Sequence, residues 1–88
     1  MIMAKITIYT AGYCSYCHAA MALLKRKGAT YDEIDLSYDP AERQRMTARV
    51  GGKRTVPQIF FGETHIGDCD ELYALERQGR LDVLLAAA

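Results

Sequence analysis

Polar and apolar residues alternate along Lys5-Ile6-Thr7-Ile8-Tyr9-Thr10, a β-branched run that predicts a strand. After Ala11-Gly12-Tyr13 the period changes. Cys17, Ala20, Met21 and Leu24 fall at i, i+3, i+4 and i+7, predicting an amphipathic helix over 14–27 with Lys25-Arg26-Lys27 at its negative end and Gly28 as its stop. Thr30 to Leu36 reads as a second strand, placed near a sheet edge because Asp32, Glu33 and Asp35 lower its β propensity. Asp39-Pro40-Ala41-Glu42 combines an N-cap, a proline at the first helical position and a capping-box partner, so a second helix should run to about Val50, before Gly51-Gly52. Val56 to Phe61, a turn at Gly62, and a strand through Ile66 predict a hairpin. Asp68 with Glu71 is a second capping signal, opening a helix through about Gln78 with Gly79 behind it. Leu81 to Leu85 offers a last short helix.

The order is therefore βαβα followed by ββα. A strand-helix-strand unit favours a parallel pair, and the later hairpin adds an antiparallel one, so the expected fold class is α/β: a small mixed four-stranded sheet with helices on both faces. The 88 residues are one domain's worth of chain, residues 1–88, without repeats or linkers. A core this small leaves little room for an enclosed site, so any site should be shallow and lie at an edge.

Composition narrows the function. Eleven Lys and Arg balance eleven Asp and Glu, which argues against a nucleic-acid binder relying on counterion release. The N-terminal residues lack a basic stretch followed by a long apolar one, and no apolar run, Val83 to Ala88 included, exceeds six residues, so neither export signal nor membrane span is expected. Three cysteines without an export signal suit cytoplasmic redox or metal chemistry better than a disulfide-stapled fold.

Cys14-Ser15-Tyr16-Cys17 sits where the first strand hands over to the first helix. The unpaired amides and partial positive charge of a helix start favour a thiolate at Cys14, the expected nucleophile. Cys17, one turn on and facing the core, can attack a mixed disulfide formed on Cys14. Zinc would need a second ligand pair, and Cys69, His18 and His65 have no paired spacing, so no metal site is expected. Thr55-Val56-Pro57 enters the third strand, and Gly67-Asp68-Cys69-Asp70 leads into a helix start able to receive a carboxylate.

Taken together, Cys14-Ser15-Tyr16-Cys17-His18, Thr55-Val56-Pro57-Gln58-Ile59-Phe60 and His65-Ile66-Gly67-Asp68-Cys69-Asp70-Glu71-Leu72 resemble a glutaredoxin of the short bacterial dithiol type, over residues 5–85. The resemblance implies a thioredoxin-like fold and a glutathione-dependent thiol-disulfide oxidoreductase acting through Cys14 and Cys17. It implies a cis Pro57 beside the nucleophile, Val56 pairing its backbone with the cysteinyl part of glutathione, and Thr55 in the same turn. Gly67, Cys69 and Asp70 would hold the γ-glutamyl end, and the Tyr16 ring would border the sulfur. Tyr13 is a weaker groove candidate, and Arg49 and Lys53, in a basic stretch before Thr55, are weaker candidates for the glycyl carboxylate.

The implied partners are glutathione and glutathionylated or disulfide-containing proteins, ribonucleotide reductase among them, acted on by a monomer with no tightly bound cofactor. Three positions depart from the common pattern. Ala11 stands where many relatives have lysine, leaving Lys5 or the basic cluster to compensate. Ser15 replaces proline, and Asp68 replaces a frequent glycine. Because Ser15 follows the nucleophile, a glutathione-ligated two-iron two-sulfur cluster on Cys14, shared across a dimer, is the alternative reading.

Overall fold

The structure is a computed structural model and describes residues 5–87. Four strands, β1 (Ile6–Thr10), β2 (Asp32–Asp35), β3 (Gln58–Phe61) and β4 (Thr64–Gly67), form one mixed sheet in the order β2-β1-β3-β4. β1 pairs parallel with β2 and antiparallel with β3, and β3 pairs antiparallel with β4. The acidic strand does lie at an edge. It is shorter than the pattern suggested, because the ladder ends where Asp35 turns to accept the Ser37 amide at 2.9 Å and hydroxyl at 2.6 Å. Those two bonds also hold the Asp35 carboxyl below its ordinary range, the hydroxyl contributing most.

Four helices cover the sheet: α1 (Ser15–Arg26), α2 (Pro40–Arg49), α3 (Cys69–Arg77) and α4 (Leu81–Ala87). Alternation along β1 and β3 divides the core. Ile6, Ile8, Ile59 and Phe61 face one way, where Ala20, Leu23 and Leu24 of α1, Leu72 of α3, and Leu81 and Leu85 of α4 pack on them. Tyr9 and Phe60 face the other way, under Met46 of α2 and Val50. Leu23, with Cys17, Ala20 and Leu24, is buried on α1, while Met21 is only half-buried against the same core. None of the described helices is long and apolar enough to cross a membrane.

The caps follow the sequence with one exception. At α3 the box is complete: Asp68 accepts from the Glu71 amide and Glu71 accepts from the Asp68 amide. At α2 only half forms. Asp39 accepts from the Glu42 amide at 3.0 Å, but the Glu42 carboxylate turns to the Arg45 guanidinium in an i,i+3 ion pair. At the far end of α1, Lys27 bridges Glu76 of α3 and Asp82 of α4 at 2.8 and 3.1 Å, contacts that raise its pKa, Glu76 most of all.

Candidate active site

Cys14 takes the N-cap position of α1. Its backbone is extended (φ −140°, ψ 102°), and its Sγ accepts the Cys17 amide at 3.1 Å, the place usually held by a serine or aspartate oxygen. No acidic side chain lies in the first turn, so nothing there opposes negative charge on the sulfur. The loop leading in is tied down by Ser37, whose hydroxyl accepts the Gly12 amide at 2.6 Å. Sequence reading passed over Ser37, because its partner is 25 positions away.

Cys17 is 2% exposed, and its thiol is pushed up to about 12, chiefly by burial and next by its hydrogen bond with the Cys14 side chain, while a hydrogen bond from the Ala11 backbone pulls the other way. Cys14, by contrast, is half-buried and reachable. The two thiols of one motif thus have different surroundings.

Across from Cys14 lies the turn before β3. The Val56–Pro57 peptide is cis, and the Cys14 thiol points at the Val56 carbonyl oxygen, 3.8 Å away. A shallow groove of about 300 Å³ opens beside it, lined by Tyr16, Thr55, Val56, Pro57, Asp68, Cys69 and Asp70. Six expected site residues therefore meet in one place, from the start of α1, the turn before β3, and the start of α3. Gly67 lies behind the groove, buried. Its φ of +124° and the Glu71 carboxylate, packed where a Cβ would project, make glycine the residue that lets the α3 box close. Cys69 is buried at the start of α3. Burial, followed by the Asp70 and Asp68 charges, raises its thiol pKa.

Other candidates lie elsewhere. Arg49 is on the opposite side of the sheet, its guanidinium 3.9 Å over the Phe60 ring and 3.2 Å from the Tyr9 hydroxyl, so it is occupied by the core and absent from the groove. Lys53 is exposed and does not line the groove, and neither does Tyr13, which borders a second recess on the far side of Cys14. Lys5 pairs with Asp32 at 3.3 Å at the other end of β1, too far along the strand to stand in for the missing lysine at Ala11. The cation that shares a recess with Cys14 is Arg43. It lines that second recess with Cys14, Tyr38 and Val56, and it donates to the Arg54 carbonyl at 2.8 Å. Among the described residues no three Cys, His, Asp or Glu side chains converge as metal ligands.

A family model described as Glutaredoxin matches residues 6–66. The glutaredoxin of Pseudomonas aeruginosa is 51% identical over 85 residues, covering 97% of this chain and 100% of that one. Glutaredoxin 3 of Escherichia coli K12 is 49% identical over 83 residues, covering 94% of this chain and 99% of the other. A crystal structure of a buckwheat glutaredoxin-glutathione complex matches with a TM-score of 0.87 at 31% identity, covering 96% of this chain and 78% of that one. With the likeness running through both sequence and architecture, the chain belongs to the glutaredoxin family, glutathione-dependent thiol oxidoreductases of thioredoxin-like fold.

Proposed function

We propose that this chain reduces protein-glutathione mixed disulfides and protein disulfides, with Cys14 as the attacking sulfur and Cys17 as the resolving one. The observation that carries the reading is the position of the Cys14 sulfur, which receives the Cys17 amide and faces the Val56 carbonyl at the rim of a groove. The Cys14 thiolate attacks the glutathionyl sulfur, the old S–S bond breaks, and the protein thiolate leaves and takes a proton from water. A second glutathione thiolate then attacks the mixed disulfide, restoring the Cys14 thiolate and leaving as oxidised glutathione. For a protein disulfide, Cys17 displaces the substrate from Cys14, and two glutathiones reduce the resulting Cys14–Cys17 bond.

The groove and the recess beside it offer a partner to each part of glutathione. The capping box uses the amides of Asp68 and Glu71, leaving those of Cys69 and Asp70 at the helix start for the γ-glutamyl carboxylate, with the exposed Asp70 carboxylate for its ammonium. Once Cys14 becomes a mixed disulfide it has no hydrogen to offer the Val56 carbonyl, which is then available to a cysteinyl N–H. The glycyl carboxylate falls to Arg43, beyond Val56 in the second recess.

The test is glutathione-dependent reduction of a glutathionylated peptide. Wild type and Cys17→Ser are expected to turn over while Cys14→Ser does not. An inactive wild type that is folded and reduced would overturn the reading.

A further inference from the structure

Gln58 is the one amide at the centre of the sheet, 1% exposed in a strand whose other three residues are apolar. A buried amide is tolerated only with its hydrogen bonds made, and here three are. Nε2 donates to the Thr55 carbonyl at 3.1 Å and to the Thr55 hydroxyl oxygen at 3.3 Å, while Oε1 lies 2.7 Å from His65 Nε2 on β4.

These contacts have a fixed direction. The Thr55 carbonyl can only accept, so the Gln58 nitrogen must face it and its oxygen must face His65, whose Nε2 is therefore a donor. A flipped amide would set two acceptors against each other at Thr55. The His65 ring is held for this task by the Phe60 ring, opposite it in the β3–β4 register and 4.9 Å away. Because the Thr55 oxygen accepts from Gln58, its own hydrogen is free for another partner, and exposed Thr55 lines the groove. The same turn carries the Val56 carbonyl and is held on its other side by Arg43 at Arg54.

We propose that Gln58 is a positioning residue for bound glutathione, its amide oriented by His65 so that it holds the Thr55-Val56 turn and leaves the Thr55 hydroxyl to donate into the groove. This rests on the glutathione reading above. Neither Gln58 nor His65 lines the groove, so both act through Thr55.

The test uses Gln58→Met, which keeps the side chain's length and loses its donors, together with His65→Leu and His65→Gln. Steady-state kinetics on a glutathionylated peptide are measured alongside thermal melting and the rate of Cys14 alkylation by iodoacetamide, which needs no groove. Losing one neutral hydrogen bond corresponds to about three- to tenfold in affinity, so Gln58→Met and His65→Leu should raise KM by that factor and leave kcat and alkylation within about twofold. His65→Gln, which keeps a donor, should restore KM to within about twofold of wild type. The double variant should be no worse than Gln58→Met alone, since both act through one amide.

A folded Gln58→Met or His65→Leu with wild-type KM overturns the proposal, as do single effects that multiply in the double variant. Should Gln58→Met fail to fold, the exposed His65 pair decides the matter alone. Wild type inactive on the peptide counts against the glutathione reading itself. An active wild type with indifferent variants counts only against Gln58.

Discussion

Burial of Cys17 sets the speed of the resolving step. With its thiol pushed up to about 12 from an ordinary 9.0, Cys17 holds roughly a thousandfold less thiolate near pH 7 than an unperturbed thiol would. A more basic thiolate is a better nucleophile, with a Brønsted coefficient of about 0.4–0.5, which returns about 15- to 30-fold over those three units. The net penalty is roughly 30- to 60-fold. In the Cys14-glutathione adduct the Cys14 contributions to the shift disappear, but burial, the largest, stays. Release of glutathione from the isolated adduct, with no free glutathione present, should therefore accelerate about tenfold per unit between about pH 6.5 and 8.5. Acid quench and mass spectrometry read this directly, with Cys17→Ser as the blank. A rate that is flat or reaches a plateau within that range would refute the argument. Folding should feel the same group. A thiol whose pKa is raised in the native state contributes its full stability below about pH 9, and that contribution falls by up to about 1.4 kcal/mol per unit above it, a loss Cys17→Ala removes.

Arg43 and Arg49, toward opposite ends of α2, should separate cleanly. Arg43→Gln is expected to raise KM for a glutathionylated peptide about tenfold with little change in kcat, measured by steady-state kinetics. Arg49→Ala should leave KM within about twofold but cost about 1–2 kcal/mol in urea unfolding, through loss of its contacts with Phe60 and Tyr9. Gly67→Ala should cost about 1–3 kcal/mol in the same unfolding assay, because its Cβ meets the Glu71 carboxylate and its backbone is left-handed. Wild-type stability in that variant would mean the capping box tolerates displacement.

Local signals in the chain carried most of the architecture. Alternation in β1, the Asp68-Glu71 pair and the glycine stops each act within a few residues, so the elements they produce could be read one at a time. The Cys14, Thr55-Val56-Pro57 and Cys69-Asp70 segments could be read as motifs, though their meeting in one groove needed the sheet order. What escaped depends on which face and which end of an element points where. Arg49 is nearer Thr55 in sequence than Arg43, yet the way α2 lies on the sheet puts Arg49 over Phe60 and Arg43 at the recess that Cys14 and Val56 also line. Gln58 read as one more strand residue, because hydrogen bonds to Thr55 and His65 leave no periodic trace. The half-formed box at Asp39 shows the same limit in a short motif, where a competing arginine one turn on took Glu42.

The unequal division of the core has a dynamic consequence. Among the described residues, eleven buried ones stand on the α1, α3 and α4 side and five on the side of α2, whose own buried residue is Met46. Local opening favours elements with little apolar burial, so the amides of α2 should exchange with solvent before those of α1 or β3. Arg43 rides on that helix. A ligand that recruits Arg43 therefore also steadies a helix on the thinner side of the core, and slowed deuterium uptake across α2 becomes a sign of glutathione occupancy that requires no turnover at all.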